Sequence, residues 1–396
     1  MPGMFPAITL HAHATPHARG LAHGRQAASR TIHSRDTYAR LFASCGIDWA
    51  QACSRAQTYR PTIEALDPDL LEEMQGIADG SGLQLAEVLA LNCRTEILPA
   101  SFLSDIGHPA AAALAANRAA GLPDWLDALD PHAAEGECTA MAVAPEASVN
   151  GHSWLAQNWD WLGRQRQALV LLHTHDAQGT RLTTLTEAGM LAKIGMNQHG
   201  FALGLNILRS LQDGERPGVP VHVLLRHLLG CSGVEAARQR LQVIAQRWGF
   251  GAASNIPCAD SQGEAACFEV APAGWAELQA QQGVVVHTNH FVCDSLLAAQ
   301  APMGMTLSSQ PRLETARRHA RTGRLDRLAL ETFLRDESDG HLSICRSPDP
   351  DLPPEGRVES VAGIIMDCHA RQIWIAPDVP CRCPFEAIDT RHLVAD

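Results

Sequence analysis

The stretch Glu135-Gly136-Glu137-Cys138-Thr139-Ala140, followed after a short turn by Gln157-Asn158-Trp159-Asp160-Trp161, constrains this chain more than any other. A small polar turn delivers a cysteine into an apolar strand, and a second strand brings Asn158 and Asp160 back toward it. Such a hairpin sets Cys138 and Asp160 at the same end of one sheet. The thiol faces a cleft while its backbone is held rigid. An aspartate inside an apolar strand with two tryptophans either pairs with a cation or costs several kcal/mol, so a bland surface role is excluded. The competing readings are a buried structural thiol and a structural salt bridge.

Size and composition narrow the class. With 396 residues, 46% hydrophobic and 19% charged, the chain buries a large core as one big domain or two moderate ones. A formal net charge of −12 with no Lys/Arg-rich run argues against a nucleic-acid partner. The opening MPGMFPAITLHAHATPHARG has neither the basic start nor the apolar centre of a signal peptide, and no run of about 18 apolar residues follows, so a soluble, cytoplasmic protein without a membrane partner is expected. The twelve cysteines are scattered and read as reduced, mostly buried thiols. His11, His13, His17 and His23 read as a solvated arm.

The N-terminal third reads as helical. Asp67-Pro68 is an N-cap and first helical position, Leu70, Leu71, Met74 and Ile77 give the apolar stripe, and Gly80 and Gly82 end it. A second helix runs from Leu85 toward Ile97, and residues 104–137 form an Ala-rich, Pro- and Gly-punctuated linker. After Cys138 short apolar runs alternate with Asn-Gly, Gln-Gly and His-Gly turns, predicting antiparallel strands at 140–143, 153–157, 168–173, 181–186, 193–196 and 201–205. Helices follow at 221–229 and 234–247, strands at 266–270, 276–279 and 284–288, a helix at 312–321, and a hairpin pairing 360–366 with 372–376. Strand groups with helices between and after them predict a layered α+β domain built on antiparallel sheets.

Other chemistry-bearing residues lie on these turns. Glycine and asparagine crowd the segment from Glu187-Ala188-Gly189 through Asn197-Gln198-His199-Gly200 to Asn206, where Asn206 lines a polar cleft or merely closes a hairpin. Asn289 stands just past an apolar strand, where an amide N–H can donate to a developing oxyanion. His287 with His290, His173-Thr174-His175 and Cys381-Arg382-Cys383 lack the paired spacing of a metal site, so no metal is expected.

Cys-Thr after a turn, then Gln-Asn-Trp-Asp, Glu-x-Gly, Asn-His after a strand, and Ser309-Gln310-Pro311-Arg312 opening a helix together resemble the acyl-coenzyme A:isopenicillin N (6-aminopenicillanic acid) acyltransferase family. The resemblance runs from about Arg60 to the C-terminus. It implies an N-terminal nucleophile hydrolase with an αββα sandwich, made as a precursor that cuts itself before its nucleophile. The scissile bond is then Glu137–Cys138, dividing the chain into a prosegment of residues 1–137 and a catalytic domain of residues 138–396 that stay together as a heterodimer, with a higher oligomer possible. Carried over, Cys138 is the nucleophile, Asp160 positions the new amine or the substrate nitrogen, and Asn289 helps form the oxyanion hole. Arg312 with Ser309 supports the site, and Asn158 and Asn206 position substrate or backbone. One departure is plain: Glu137 stands where the family has glycine.

The implied reaction is acyl transfer from a small amide or thioester through an acyl-Cys138 intermediate, without metal or organic cofactor. A freed N-terminal amine, with a reference pKa of about 7.7–8.0, can accept the thiol proton near neutral pH. Two other readings stay open: a Cys-His hydrolase without self-cleavage, using His287 or His290 as base, and a non-catalytic binding protein on the same scaffold.

Overall fold

The computed structural model describes residues 3–10, 14–98, 138–301, 308–350 and 357–394. Strand β1 (Ala7–Thr9) leads into helices α1 (Pro16–Gln26), α2 (Ala28–Ser44), α3 (Trp49–Gln57), α4 (Arg60–Leu66), α5 (Pro68–Ser81), α6 (Leu85–Asn92) and α7 (Arg94–Ile97). The expected linker at 104–137 and Glu137 lie outside the described residues. Strands β2 (Cys138–Val143), β3 (Trp154–Leu162), β4 (Leu169–His175), β5 (Arg181–Glu187), β6 (Ile194–Asn197), β7 (Ala202–Leu203) and β8 (Asn206–Ile207) follow. Helices α8 (Val221–Leu228) and α9 (Val234–Arg247) precede strands β9 (Ser254–Ala259), β10 (Ala265–Ala271), β11 (Gly274–Gln279) and β12 (Val284–His287). Helices α10 (Ser309–Ala320) and α11 (Arg327–Leu334), strands β13 (Val358–Asp367), β14 (Gln372–Ala376) and β15 (Glu386–Ala387), and the short helix α12 (Arg391–Val394) complete the chain.

The strands form two sheets. One has nine strands in the order β1-β4-β5-β6-β7-β9-β10-β11, with β8 also on β9; the other has six in the order β12-β2-β3-β13-β14-β15. Strands β2, β3 and β12 lie against β8, β9 and β10, which stacks the sheets face to face. Helices α2 and α9 contact the first sheet, and α10 and α11 contact the second, so the layers run helix, sheet, sheet, helix.

Side-chain alternation along β2 shows how the sequence builds this stack. Cys138 and Ala142 join the core between the sheets, while Met141 and Val143 join a second core under α10 and α11 with Leu330, Phe333 and Leu334. A strand buried on both faces has no polar side to show, and all six residues of β2 are buried.

The expected antiparallel sheets are present, with one pairing among the described strands that departs from them: β1 is not antiparallel to β4 but runs parallel to it, with Ile8 opposite Leu172. Parallel partners need a long connection, and the N-terminal helices supply it. Nor is the His-rich opening a solvated arm throughout, because Thr15 caps α1 through a bond from Ala18 N, and α1 packs on α5. His17 Nε2 lies 2.7 Å from Asp79 Oδ2 and His23 is fully buried; His11 and His13 lie outside the described residues. Asp67 does sit at the N-cap of α5, but its carboxylate turns to His227 Nδ1, at 3.2 Å, instead of to the helix.

Candidate active site

Cys138 is the first residue of an inner strand of the second sheet, and its backbone is gripped on both sides. Its N–H donates to Asn289 Oδ1 at 2.9 Å. Its carbonyl accepts from Arg312 Nη1 at 2.8 Å and from Asn206 Nδ2 at 3.0 Å. These three side chains come from separate elements: Asn289 follows β12, Asn206 opens β8 on the facing sheet, and Arg312 stands in the first turn of α10. Close sheet stacking and the helix layer bring together residues far apart in the chain.

Arg312 is fully buried and spreads its planar fork over four partners. Besides Cys138 O, it donates to Thr139 Oγ1 and Asn289 Oδ1, each at 2.9 Å, and to Ser308 Oγ at 3.2 Å. Ser309 acts one step back: its hydroxyl accepts from Asn289 N at 2.9 Å and lies 2.7 Å from His290 Nδ1. Asn289 in turn donates through Nδ2 to Ile207 O at 2.9 Å. Its side-chain oxygen thus faces the cysteine and its amide group braces β8.

Asn158 and Asp160 reach the same end of the sheet as Cys138 but leave β3 by its other face. The register sets Cys138 opposite Trp159, which shares the core between the sheets, and the residues on either side of Trp159 alternate away. Asn158 Nδ2 donates to Leu334 O at 2.8 Å and to Ile344 O at 2.9 Å, tying the sheet to the helix layer. Asp160 Oδ1 accepts from the Ser360 hydroxyl at 2.5 Å. A two-residue periodicity makes neighbours on one strand face opposite ways, so Asp160 shares the expected end of the sheet with Cys138 but not its face.

The electrostatics of the thiol follow from this packing. Burial, and then the Asp160 carboxylate, push Cys138 up to about 11, while Lys193 and Arg312 pull the other way. Nearby histidines are committed elsewhere: His287 Nε2 is 2.8 Å from Glu269 Oε1 and its Nδ1 3.0 Å from Thr288 O, and burial lowers His290 to about 4. Among the described residues, no group of three His, Cys, Asp or Glu side chains is placed to hold a metal ion. No helix among them is long and apolar enough to cross a membrane.

Sequence reasoning passed over Lys193. Its ammonium group lies 3.5 Å from the centre of the Trp159 ring and 3.6 Å from Glu187 Oε2, and the residue is buried. Glu187 is shared: Tyr38 Oη donates to its Oε1 at 2.5 Å, Gln165 Nε2 donates to the same oxygen at 2.9 Å, and Arg94 Nη2 lies 3.8 Å from Oε2. A signal was in plain view, because of 31 lysines and arginines in the chain Lys193 is the single lysine.

A model of the family described as acyl-coenzyme A:6-aminopenicillanic acid acyl-transferase matches residues 148–380, more than half of the chain. The acyl-coenzyme A:6-aminopenicillanic-acid-acyltransferase 40 kDa form of Emericella nidulans is 26% identical over 341 residues, covering 83% of this chain and 82% of that protein. Among solved structures, penicillin V acylase from Agrobacterium tumefaciens is 13% identical with a TM-score of 0.38, over 64% of this chain and 86% of its own. A mutant conjugated bile acid hydrolase from Clostridium perfringens is 11% identical with a TM-score of 0.39, over 65% of this chain and 94% of its own.

Proposed function

The chain belongs to the acyl-coenzyme A:6-aminopenicillanic acid acyl-transferase family, enzymes of acyl-group chemistry, and on that premise we propose that it is a cysteine N-terminal nucleophile amidohydrolase or acyltransferase that cuts itself at Glu137–Cys138. The observation that carries the reading is the double grip on the backbone of Cys138, by Asn289 on its nitrogen and by Arg312 and Asn206 on its carbonyl. A structural thiol has no use for a buried arginine and two buried asparagines converging on its main chain, whereas a nucleophile that must meet a carbonyl carbon within a few tenths of an ångström does.

In the cut enzyme the new amine of Cys138 takes the thiol proton, and the thiolate attacks the carbonyl carbon of a small amide or acyl thioester. Buried donors around the cysteine stabilise the resulting oxyanion, and collapse expels the amine or thiol and leaves acyl-Cys138. Water then completes hydrolysis, or an amine completes transfer. Asp160 lies across the sheet, where its charge raises the thiol pKa and works against premature ionisation. Residues 1–137 stay bound to residues 138–396 after the cut.

The test is intact mass spectrometry of the denatured protein beside Cys138→Ala. Two chains meeting at Glu137/Cys138 in the unmutated protein, and one uncut chain in the variant, are expected. Two fragments from Cys138→Ala would remove the cysteine from the cleavage step. A single uncut chain in both, with activity lost on replacing His287 or His290, would favour a Cys-His hydrolase.

A further inference from the structure

As long as Glu137 and Cys138 are joined, the nitrogen of Cys138 is an amide and has no basicity, so the base proposed for turnover does not yet exist when the chain must cut itself. The thiol nevertheless has to lose a proton before it can attack. The two histidines at and just past the end of β12 are engaged, His287 by Glu269 and Thr288 O, His290 by Ser309. His222 Nδ1 lies 3.1 Å from Ala192 O, and burial, with Arg94 and Lys193, holds it well below the usual histidine range.

Lys193 remains. Its ammonium group sits on the face of Trp159, the residue directly opposite Cys138 in the β2–β3 register, and the two side chains share the core between the sheets. Directly opposed side chains in a sheet have Cβ atoms about 4.5–5.5 Å apart, so Trp159 packs beside Cys138 and carries the amine on its ring, close enough for the two groups to act on each other electrostatically. Charged groups act on the pair from several elements: Glu187 of β5, Arg94 of α7 and His222 of α8, and, from the other face of the second sheet, Asp160 of β3 and Arg312 of α10. Burial, outweighing Glu187, brings Lys193 down to about 7, where its neutral amine is well populated near neutrality. The charged forms of Lys193 and Cys138 favour one another.

Composition points the same way. Every other Lys/Arg position in the chain is arginine, which supplies positive charge but does not deprotonate in proteins. The one position that departs from this usage is buried against Trp159, the residue opposite the candidate nucleophile.

We propose that Lys193 is the proton acceptor for the Cys138 thiol in the uncut chain, and so the base of the self-cleavage step. The inference rests on the reading of Cys138 as nucleophile. The proton leaves Sγ for Nζ, and sulfur bonds to the Glu137 carbonyl carbon. The bond from that carbon to the Cys138 nitrogen breaks, and the nitrogen takes the proton back from Lys193. Water hydrolyses the thioester, leaving the Glu137 carboxylate and a Cys138 with free thiol and amine.

Three measurements test this. The single lysine makes the titration directly readable: with 13C at lysine Cε, the NMR spectrum of Cys138→Ala, expected to stay uncut, contains one lysine signal, expected to titrate near neutrality. A midpoint near the ordinary lysine value of about 10.4 overturns the proposal. Second, Lys193→Met and Lys193→Arg are expected to remain one full-length chain by intact mass. Third, iodoacetamide labelling of Cys138 at pH 7.5, read on the full-length precursor sampled before cleavage, is expected to be at least about tenfold slower in both variants than in the unmutated protein, one pKa unit of thiol ionisation being tenfold. Cleavage and labelling in Lys193→Arg equal to the unmutated protein would overturn proton transfer, because arginine restores the charge and not the base. If no protein labels at Cys138, the nucleophile reading itself fails, and this proposal with it; if Cys138 labels identically in all, only this proposal fails.

Discussion

Cys138, Arg312, Asn206 and Asn289 show how much of a site can consist of side chains holding a main chain. The residues that hold charge in the interior have consequences for pH. His23 is buried and lowered to about 4, and His222 lies well below the usual histidine range. Both have folded-state pKa values below their unfolded value of 6.5, so the stability they allow is complete above pH 6.5 and is lost as pH falls toward 4. Glu187 adds to the loss at lower pH: burial alone would raise it, but Lys193, Arg94 and the Tyr38 hydroxyl outweigh burial and hold it at about 2, so its contribution disappears as pH falls below 4.5. Glu96 acts in the opposite sense. Burial raises it to about 7, and its contribution fades as pH rises from 4.5 through 7. His290 and His392, also lowered to about 4 by burial, join His23 and His222, and the depressed histidines outnumber the raised carboxyls Glu96, Asp213 and Glu359, which predicts an unfolding temperature that drops as pH is lowered from 6.5 to 4. A thermal-melt series flat across that window would mean that His23 and His222 are not buried neutral in solution.

At the scale of elements, the N-terminal pair α1 and α5 is the tightest contact among the helices. Gly20 and Gly24 on α1 meet Gly76 and Gly80 on α5, four residues apart on each helix, so that backbone touches backbone. A Cβ at Gly76 would lie 2.1 Å from His17 O, and one at Gly20 would lie 1.9 Å from Glu73 O. Neither neighbour is a flexible side chain, so the helices themselves would have to separate. Beside this seam the buried Glu73 takes Arg19 Nε at 3.2 Å and lies 3.4 Å from Arg226 Nη2 on α8. Gly76→Ala is therefore expected to destabilise the protein by about 2–3 kcal/mol, read as a lower urea midpoint at unchanged slope. An unchanged midpoint would show that the helices do not approach this closely.

For the whole molecule, the N-terminal helices are bound into the layer stack that holds the candidate site and are not an appendage to it. Tyr38 and Arg94 engage Glu187, Asn92 donates to Gly189 O and accepts from Leu191 N, and Glu96 Oε1 takes Val221 N at 2.8 Å. Strand β1 adds to the first sheet. If the chain cuts itself as proposed, the two pieces are thus expected to elute together in gel filtration and to part only in denaturant; separation in native buffer would contradict this interleaving. Much of the architecture was legible in sequence because local rules apply to strands of period two and helices of period 3.6, as at 234–247, where pattern and helix coincide. Strand β1 was not legible, since three residues carry too little periodicity, and α1 was hidden because its partner surface is glycine and histidine instead of leucine. The order of motifs around Cys138, Asn289, Ser309 and Arg312 determined the family by itself. Which face Asp160 takes, what Asn289 holds, and the partnership of Lys193 with Trp159 and Glu187 were decided only by the tertiary structure. Strand alternation, sheet stacking and desolvation act between residues far apart in the chain, and no local pattern encodes them.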